Sequence, residues 1–242
     1  MNGYLRERLT NCCEWQRVFT LKDVTKSEGM TEWLIEAIVS GKFHSGSKIS
    51  EPELSRELNV SRGPLREAMM RLETMGLIER IPHVGARVVT ISEAQLSEIY
   101  AVREALEGMA IRQACAHITE RELESLRALL VRHQQHIDEV DGATYFHQQG
   151  DFDFHYRIIQ ASRNSKLIGL LCDELYHLVR MYRKQSTRTQ SRPERALNEH
   201  FQILTALEDR DAELAEMLMR RHIRRSGQLA AARLKDHKEM AS

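Results

Sequence analysis

Residues 50–92 read SEPELSRELNVSRGPLREAMMRLETMGLIERIPHVGARVVTIS. Ser50 stands where a helix N-cap belongs, with Pro52 in the first turn and Glu53 three residues after the cap. Asn59 suits a left-handed turn, because its short polar side chain tolerates that conformation. A second helix starts at Ser61, carries Pro64 in its first turn and stops at Gly76. IERIPHVGARVVTIS then alternates apolar and polar residues about a turn near His83 to Gly85, which reads as a hairpin. Upstream, TEWLIEAIVSG places Leu34, Ile35, Ala37 and Ile38 on one side of a helix stopped by Gly41, and GKFHSGSKIS reads as a turn and a short strand. The order over 29–92 is helix, strand, helix, tight turn, helix, hairpin. That is a winged helix-turn-helix.

In such a unit Leu54, Leu58 and Val60 pack against Leu65, Met69 and Leu72. The start of the third helix is then free to enter a major groove. It offers Ser61, Arg62, Gly63, Pro64 and Arg66, with Arg62 and Arg66 four apart and on one face. Arginine suits phosphate and the O6/N7 edge of guanine. Ser61 and the free amides at the helix start can take a phosphate. Gly63 and Pro64 permit close approach rather than base reading. Arg80, His83 and Arg87 lie on the hairpin. Two arginines at this spacing are usually a solvated face; the ordered set of elements is what favours DNA.

Lys+Arg and Asp+Glu number 35 each, so bulk positive charge cannot drive nucleic-acid binding and a local patch must. No run approaches 18 uncharged apolar residues, and the first twenty residues lack the apolar core of a secretory signal. Cys12, Cys13, Cys115 and Cys172 form no C-x-x-C pair, which argues against a thiolate zinc site and a disulfide framework. A protein with reduced cysteines, resident in the cytoplasm, is the expectation.

After Ser92 the chain turns helical, with helices expected near 93–117, 119–138, 142–162, 165–187, 192–209 and 211–236. The expected organisation is a loosely held arm over 1–28, the winged unit over 29–92, an antiparallel helical bundle over 93–236 and a tail over 237–242. The fold class is mainly α.

In YAVREALEGMAI, Arg103 falls on the apolar face defined by Ile99, Leu106 and Ala110. A buried arginine needs an anion. That anion is either a glutamate of a neighbouring helix or a carboxylate effector. In GDFDFHYRIIQ, Asp151 and His155 are four apart on one side. His200 shares a face with Ile203, Leu204 and Leu207, and His222 shares one with Leu218 and Arg225. A lone histidine on such a face is more often a hydrogen-bonded core residue. Three, plus an aspartate, suit a divalent transition metal: zinc first, with nickel or manganese admitted by the same donors. The other histidines read as surface or packing residues.

ISEPELSRELNVSRGPLREAMMRLETMGLIERIPHVGARV closely resembles the DNA-binding domain of GntR-type bacterial transcription regulators. The resemblance implies DNA contacts from Ser61, Arg62, Gly63 and Arg66, with the wing at His83 to Gly85 against the minor groove. V-R-E-A-L-E, D-x-x-F-H with a downstream Asn, E-H-x-x-[IL]-x-x-A-L and a later H-I resemble the ligand domain of the FadR subfamily, over roughly Ile91 to Ala231. This implies a homodimer, metal ligands Asp151, His155, His200 and His222, and a small carboxylic-acid effector faced by Arg103. Arg163 stands where that subfamily commonly has Gly. RIPHVGARVVTIS with IYAVREALEGMAIRQA is similar to regulators accompanying the methylcitrate pathway, which implies 2-methylcitrate or 2-methylisocitrate as effector. Tyr182 and Arg225, on inward-leaning faces, are the further effector candidates.

The leading function is an effector-controlled regulator of operator DNA, with repression relieved by the acid and no membrane partner. The rival is a metal-dependent hydrolase or lyase acting on a small organic acid. Against it, no general base is evident near the ligands: Glu199 adjoins His200 but points about 100° away around the helix. A purely structural metal is the third reading.

Overall fold

The structure, a computed structural model, describes residues 26–139, 149–185 and 193–241. The chain divides into two units, Met1–Thr90 and Ile91–Ser242. Residues 1–25 of the expected arm lie outside the described residues.

The first unit contains α1 (Lys26–Val39), β1 (Lys48–Ile49), α2 (Glu51–Glu57), α3 (Arg62–Thr74), β2 (Ile78–Ile81) and β3 (Gly85–Val88). Leu34 and Ile38 of α1, Leu54 of α2 and Leu65, Met69 and Leu72 of α3 are all buried, so the apolar spacing of the three helices is used on one inner side each. The turn between α2 and α3 depends on Asn59 at φ 51°. It is locked by the Ser55 hydroxyl donating to the Val60 carbonyl at 2.7 Å. Ser50 and Ser61 stand at the N-cap positions, but neither side chain caps its helix. The sheet order is β1-β3-β2, antiparallel throughout, with Ile49 opposite Ala86 and Ile78 opposite Val88. His83 at φ 63° and Gly85 at φ 101° turn the wing.

The second unit contains α4 (Glu93–His117), α5 (Glu120–Glu139), α6 (Gln149–Ala161), α7 (Ser165–Ile168), a π-helical turn (Gly169–Leu175), α8 (Tyr176–Gln185), α9 (Pro193–Glu208) and α10 (Ala212–Ala241). The helix expected over 165–187 is therefore interrupted by π geometry, a wide turn often found at functional sites. The helix expected to end at residue 236 continues to Ala241, through the expected tail. Ser92 and Gln95 close α4 with a reciprocal capping box. Arg163 adopts φ 57°, the conformation that glycine takes most easily, and so fills the helix-ending position. Asn164 then caps α7 by accepting from the Lys166 and Leu167 amides.

The most extensive helix pairing among the described residues joins α4 and α10. Glycines let the two approach. A Cβ on Gly227 would come within 2.9 Å of the Tyr100 ring, and one on Gly108 within 2.7 Å of Arg220 Nε. Phe154 of α6 is fully buried and stacks on His200 of α9 at 4.4 Å between ring centres.

Candidate functional site

Three histidines from three helices meet inside the second unit. His155 comes from α6, His200 from α9 and His222 from α10, all 3 % exposed or less. Their ligand-capable nitrogens lie within 4.8 Å of one another. His200 Nε2 and His222 Nε2 are 3.2 Å apart. Two imidazoles on one tetrahedral zinc, at about 2.05 Å each, place their nitrogens about 3.3 Å apart. Asp151 lies on α6, but its side chain is outside the described residues.

Carboxylates hold two of these rings from behind. His155 Nδ1 donates to Glu107 Oε2 at 2.6 Å, and His222 Nδ1 donates to Glu199 Oε2 at 2.8 Å. A proton on Nδ1 leaves Nε2 with its lone pair bare, which is the form that ligates a cation. Burial would raise the Glu107 carboxyl, but the Arg103 charge and the His155 contact overcome it and hold the group at about 2. Burial likewise opposes ionisation of Glu199, and the hydrogen bond from His222 with the Arg225 charge pulls it below the usual carboxylate range. Imidazoles backed by ionised carboxylates form a donor set that fits a divalent transition metal.

This corrects two expectations. The partner of Arg103 is not on another helix. It is Glu107, one turn along α4, reached from Arg103 Nε at 2.7 Å. Glu199 does turn away from His200, but that rotation aims it across to His222 on the next helix. A base therefore stands beside a candidate ligand, contrary to the reading of the sequence. The Arg103–Glu107 link was signalled by i, i+4 spacing. The Glu199–His222 link had no such signal, because it crosses between helices.

Of the effector candidates, Arg103 is buried at the histidine site. Arg225 pairs with Glu199 and lines a cleft of about 250 Å³ with Arg195, Arg221 and His222. The Tyr182 hydroxyl donates to the Ala230 carbonyl at 2.9 Å, so its proton is engaged by α10.

In the first unit Ser61, Arg62, Gly63 and Arg66 are all exposed on the first turns of α3. A Cβ on Gly63 would meet nothing within 4 Å. Arg66 Nε stands 3.7 Å from Glu51, and Arg80 is held by Glu73 and Glu51. Arg87 donates to the Gly46 carbonyl. His83 and Gly85 are exposed at the wing turn. The wing arginines are thus tied to the unit's own groups, whereas Ser61, Arg62 and Gly63 at the start of α3 are exposed.

Residues 26–88 match the family described as bacterial regulatory proteins, gntR family, and residues 98–225 match the FCD domain. The chain belongs to the GntR family. It is similar to the HTH-type transcriptional repressor RspR of Escherichia coli, at 34 % identity over 178 residues, covering 74 % of this chain and 77 % of that protein. It is also similar to the Nta operon transcriptional regulator of Aminobacter aminovorans, at 30 % identity over 189 residues, covering 77 % and 86 %. The solved structure of E. coli McbR/YncC shares the fold, with a TM-score of 0.75 and 20 % identity over 87 % of this chain and 99 % of that one. This GntR-family chain is a transcription regulator; its relatives are regulators rather than enzymes, which sets aside the hydrolase or lyase. No helix among the described residues is long and apolar enough to cross a membrane.

Proposed function

We propose that this regulator is a cytoplasmic homodimeric repressor that leaves its operator when a small carboxylic acid binds at a divalent-metal centre. The observation that carries the sensing half is the convergence of His155, His200 and His222 with Glu107 and Glu199 behind them. Asp151, one helical turn before His155, supplies the oxygen ligand. Zinc suits the set best, and nickel or manganese would use the same donors. The bound metal supplies a Lewis-acidic seat for a carboxylate.

The chain's own residues do the rest. Glu107 and Glu199 orient the rings, Arg103 faces the acid, and Arg225 with Tyr182 closes the surroundings. Ser61, Arg62, Gly63 and Arg66 enter the major groove, while His83 and Gly85 follow the adjacent minor groove. The acid shifts the protein toward a head arrangement that misfits the half-site spacing, and it can do so only by binding that arrangement more tightly. The repressor reading is supported by RspR, whose name calls it a repressor. The tricarboxylates of the methylcitrate pathway are the first acids to try.

The test is retardation of operator DNA by metal-loaded full-length protein, titrated with 2-methylcitrate, 2-methylisocitrate and simpler acids, beside calorimetry of the same acids. Release of DNA by an acid that binds holo but not metal-free protein is the expected result. Binding of no acid to either form would overturn the sensor.

A further inference from the structure

Beyond His222, α9 and α10 meet along a seam that opens as a cleft of about 250 Å³. Arg195 and Glu199 stand one turn apart on α9, and Arg221 and Arg225 one turn apart on α10, so each helix turns one face to the cleft. The His222 ring lies between this cleft and the histidine centre. Its Nε2 is 3.2 Å from His200 Nε2, while its Nδ1 donates to Glu199 in the cleft wall at 2.8 Å.

Three guanidiniums share this lining with one carboxylate, Glu199. Glu199 is already engaged. One oxygen accepts from Arg225 and stands 3.5 Å from Arg195 Nε, and the other accepts from His222. Two positive charges are left over, in a chain whose Lys+Arg and Asp+Glu balance at 35 each. Elsewhere in this unit arginines are matched one to one, as Arg127 with Glu208 and Arg224 with Glu104. A concave surface with an excess of one sign concentrates the opposite ion.

The shape and charge select the ion. A phosphate or phosphate monoester carries close to two negative charges at neutral pH, which matches the excess. Guanidinium forks suit its oxygens. The cleft is small for a ligand pocket, so it fits a headgroup rather than a large molecule. Arg225 is held by Glu199, which is held in turn by a ring only 2 % exposed. A donor fixed in advance loses little freedom on binding.

We propose that the cleft between α9 and α10 binds a small dianion of the phosphate class, free or as a monoester, on Arg195, Arg221 and Arg225. The seat is separate from the histidine centre and does not rest on the acid-binding reading above.

The experiment is calorimetry of inorganic phosphate, glycerol 3-phosphate, succinate and acetate with full-length protein. It is run on chelator-treated protein and on zinc-loaded protein freed of excess zinc, with wild type, Arg221→Gln and Arg195→Gln. One phosphate or ester binds per chain in both metal states, tenfold or more tighter than acetate. Tighter binding of the ester would make the ligand a monoester, and equal binding would make it free phosphate. Arg221→Gln costs roughly 10–100-fold, the loss of hydrogen bonds to a charged group. Its Tm without phosphate stays at the wild-type value, because Arg221 is exposed. Arg195→Gln also weakens binding and repeats the test at a second position. Binding confined to zinc-loaded protein, or unchanged in both variants, would place the anion elsewhere and overturn the seat. Succinate binding tighter than phosphate would overturn the phosphate assignment. Failure of phosphate and ester to bind, with looser retention of an unrelated DNA duplex by Arg221→Gln, would make the cleft a nucleic-acid contact and overturn it too.

Discussion

Glu107 Oε2 accepts the Nδ1 proton of His155 at 2.6 Å while its other oxygen accepts from Arg103. One buried carboxylate thus sets the tautomer of a candidate metal ligand and neutralises a buried cation. Glu107→Gln keeps the shape but loses the charge. Metal affinity is expected to fall roughly 10–100-fold. Stability falls by about 3 kcal/mol, since Arg103 is left buried without its anion. Metal content after competition with a chelator, together with Tm, checks both; wild-type values for the two would remove Glu107 from the site.

Glu199 performs the same task for His222 from a more open position, 17 % exposed. Glu199→Gln is expected to lower metal affinity about tenfold with little change in Tm. Combined with His222→Ala it adds nothing further, because its target ring is gone. Additive losses in that double variant would show that Glu199 acts elsewhere.

Arg62 and Arg66 are exposed and touch no core group. Replacing either with Ala is expected to weaken operator binding by about 1–3 kcal/mol and leave Tm unchanged. Where the lost contact is a phosphate, the slope of log affinity against log salt flattens by about 1. Retardation across a salt series measures it, and an unaltered series would take α3 out of the groove.

Gly63 separates folding from binding. Its open side would accept a methyl group without a clash. Gly63→Ala is expected to raise stability by up to about 0.5 kcal/mol through helix propensity. It lowers operator affinity if that space is where DNA lies close. Affinity equal to wild type, with the stability gain, would place DNA away from Gly63.

Cys172 is buried and its burial pushes the thiol up to about 12; Cys115 is buried and raised as well. At pH 8 only about one part in ten thousand of the Cys172 thiol is thiolate, the reactive form. Both are expected to resist iodoacetamide in the native protein and to react in denaturant, as read by peptide mapping. Rapid native labelling of Cys172 would contradict the packing around the π-helical turn.

Much of this was legible in local spacing. The turn at Asn59, the stop at Gly76 and the wing turn at His83 to Gly85 follow from short-range conformational rules, and all appear with the expected backbone. The helix expected near 93–117 appears as α4 over Glu93–His117. The inward histidines were visible as members of apolar faces. The π-helical turn at Gly169–Leu175 was not, because α and π turns share the same local residue preferences and differ only in how neighbouring helices press on them.

Sequence alone therefore determined the order of the elements, the open arginine face of α3 and the faces on which Arg103, His155, His200 and His222 stand, since each depends on residues within a few positions. Only the tertiary structure decided that the three imidazoles share one centre, that Glu199 reaches His222, and that Arg103 is buried against Glu107, whose other oxygen holds His155. Those relations join residues of different helices or depend on what packs around them, and their distances are set by how closely α4 and α10 approach at Gly108 and Gly227.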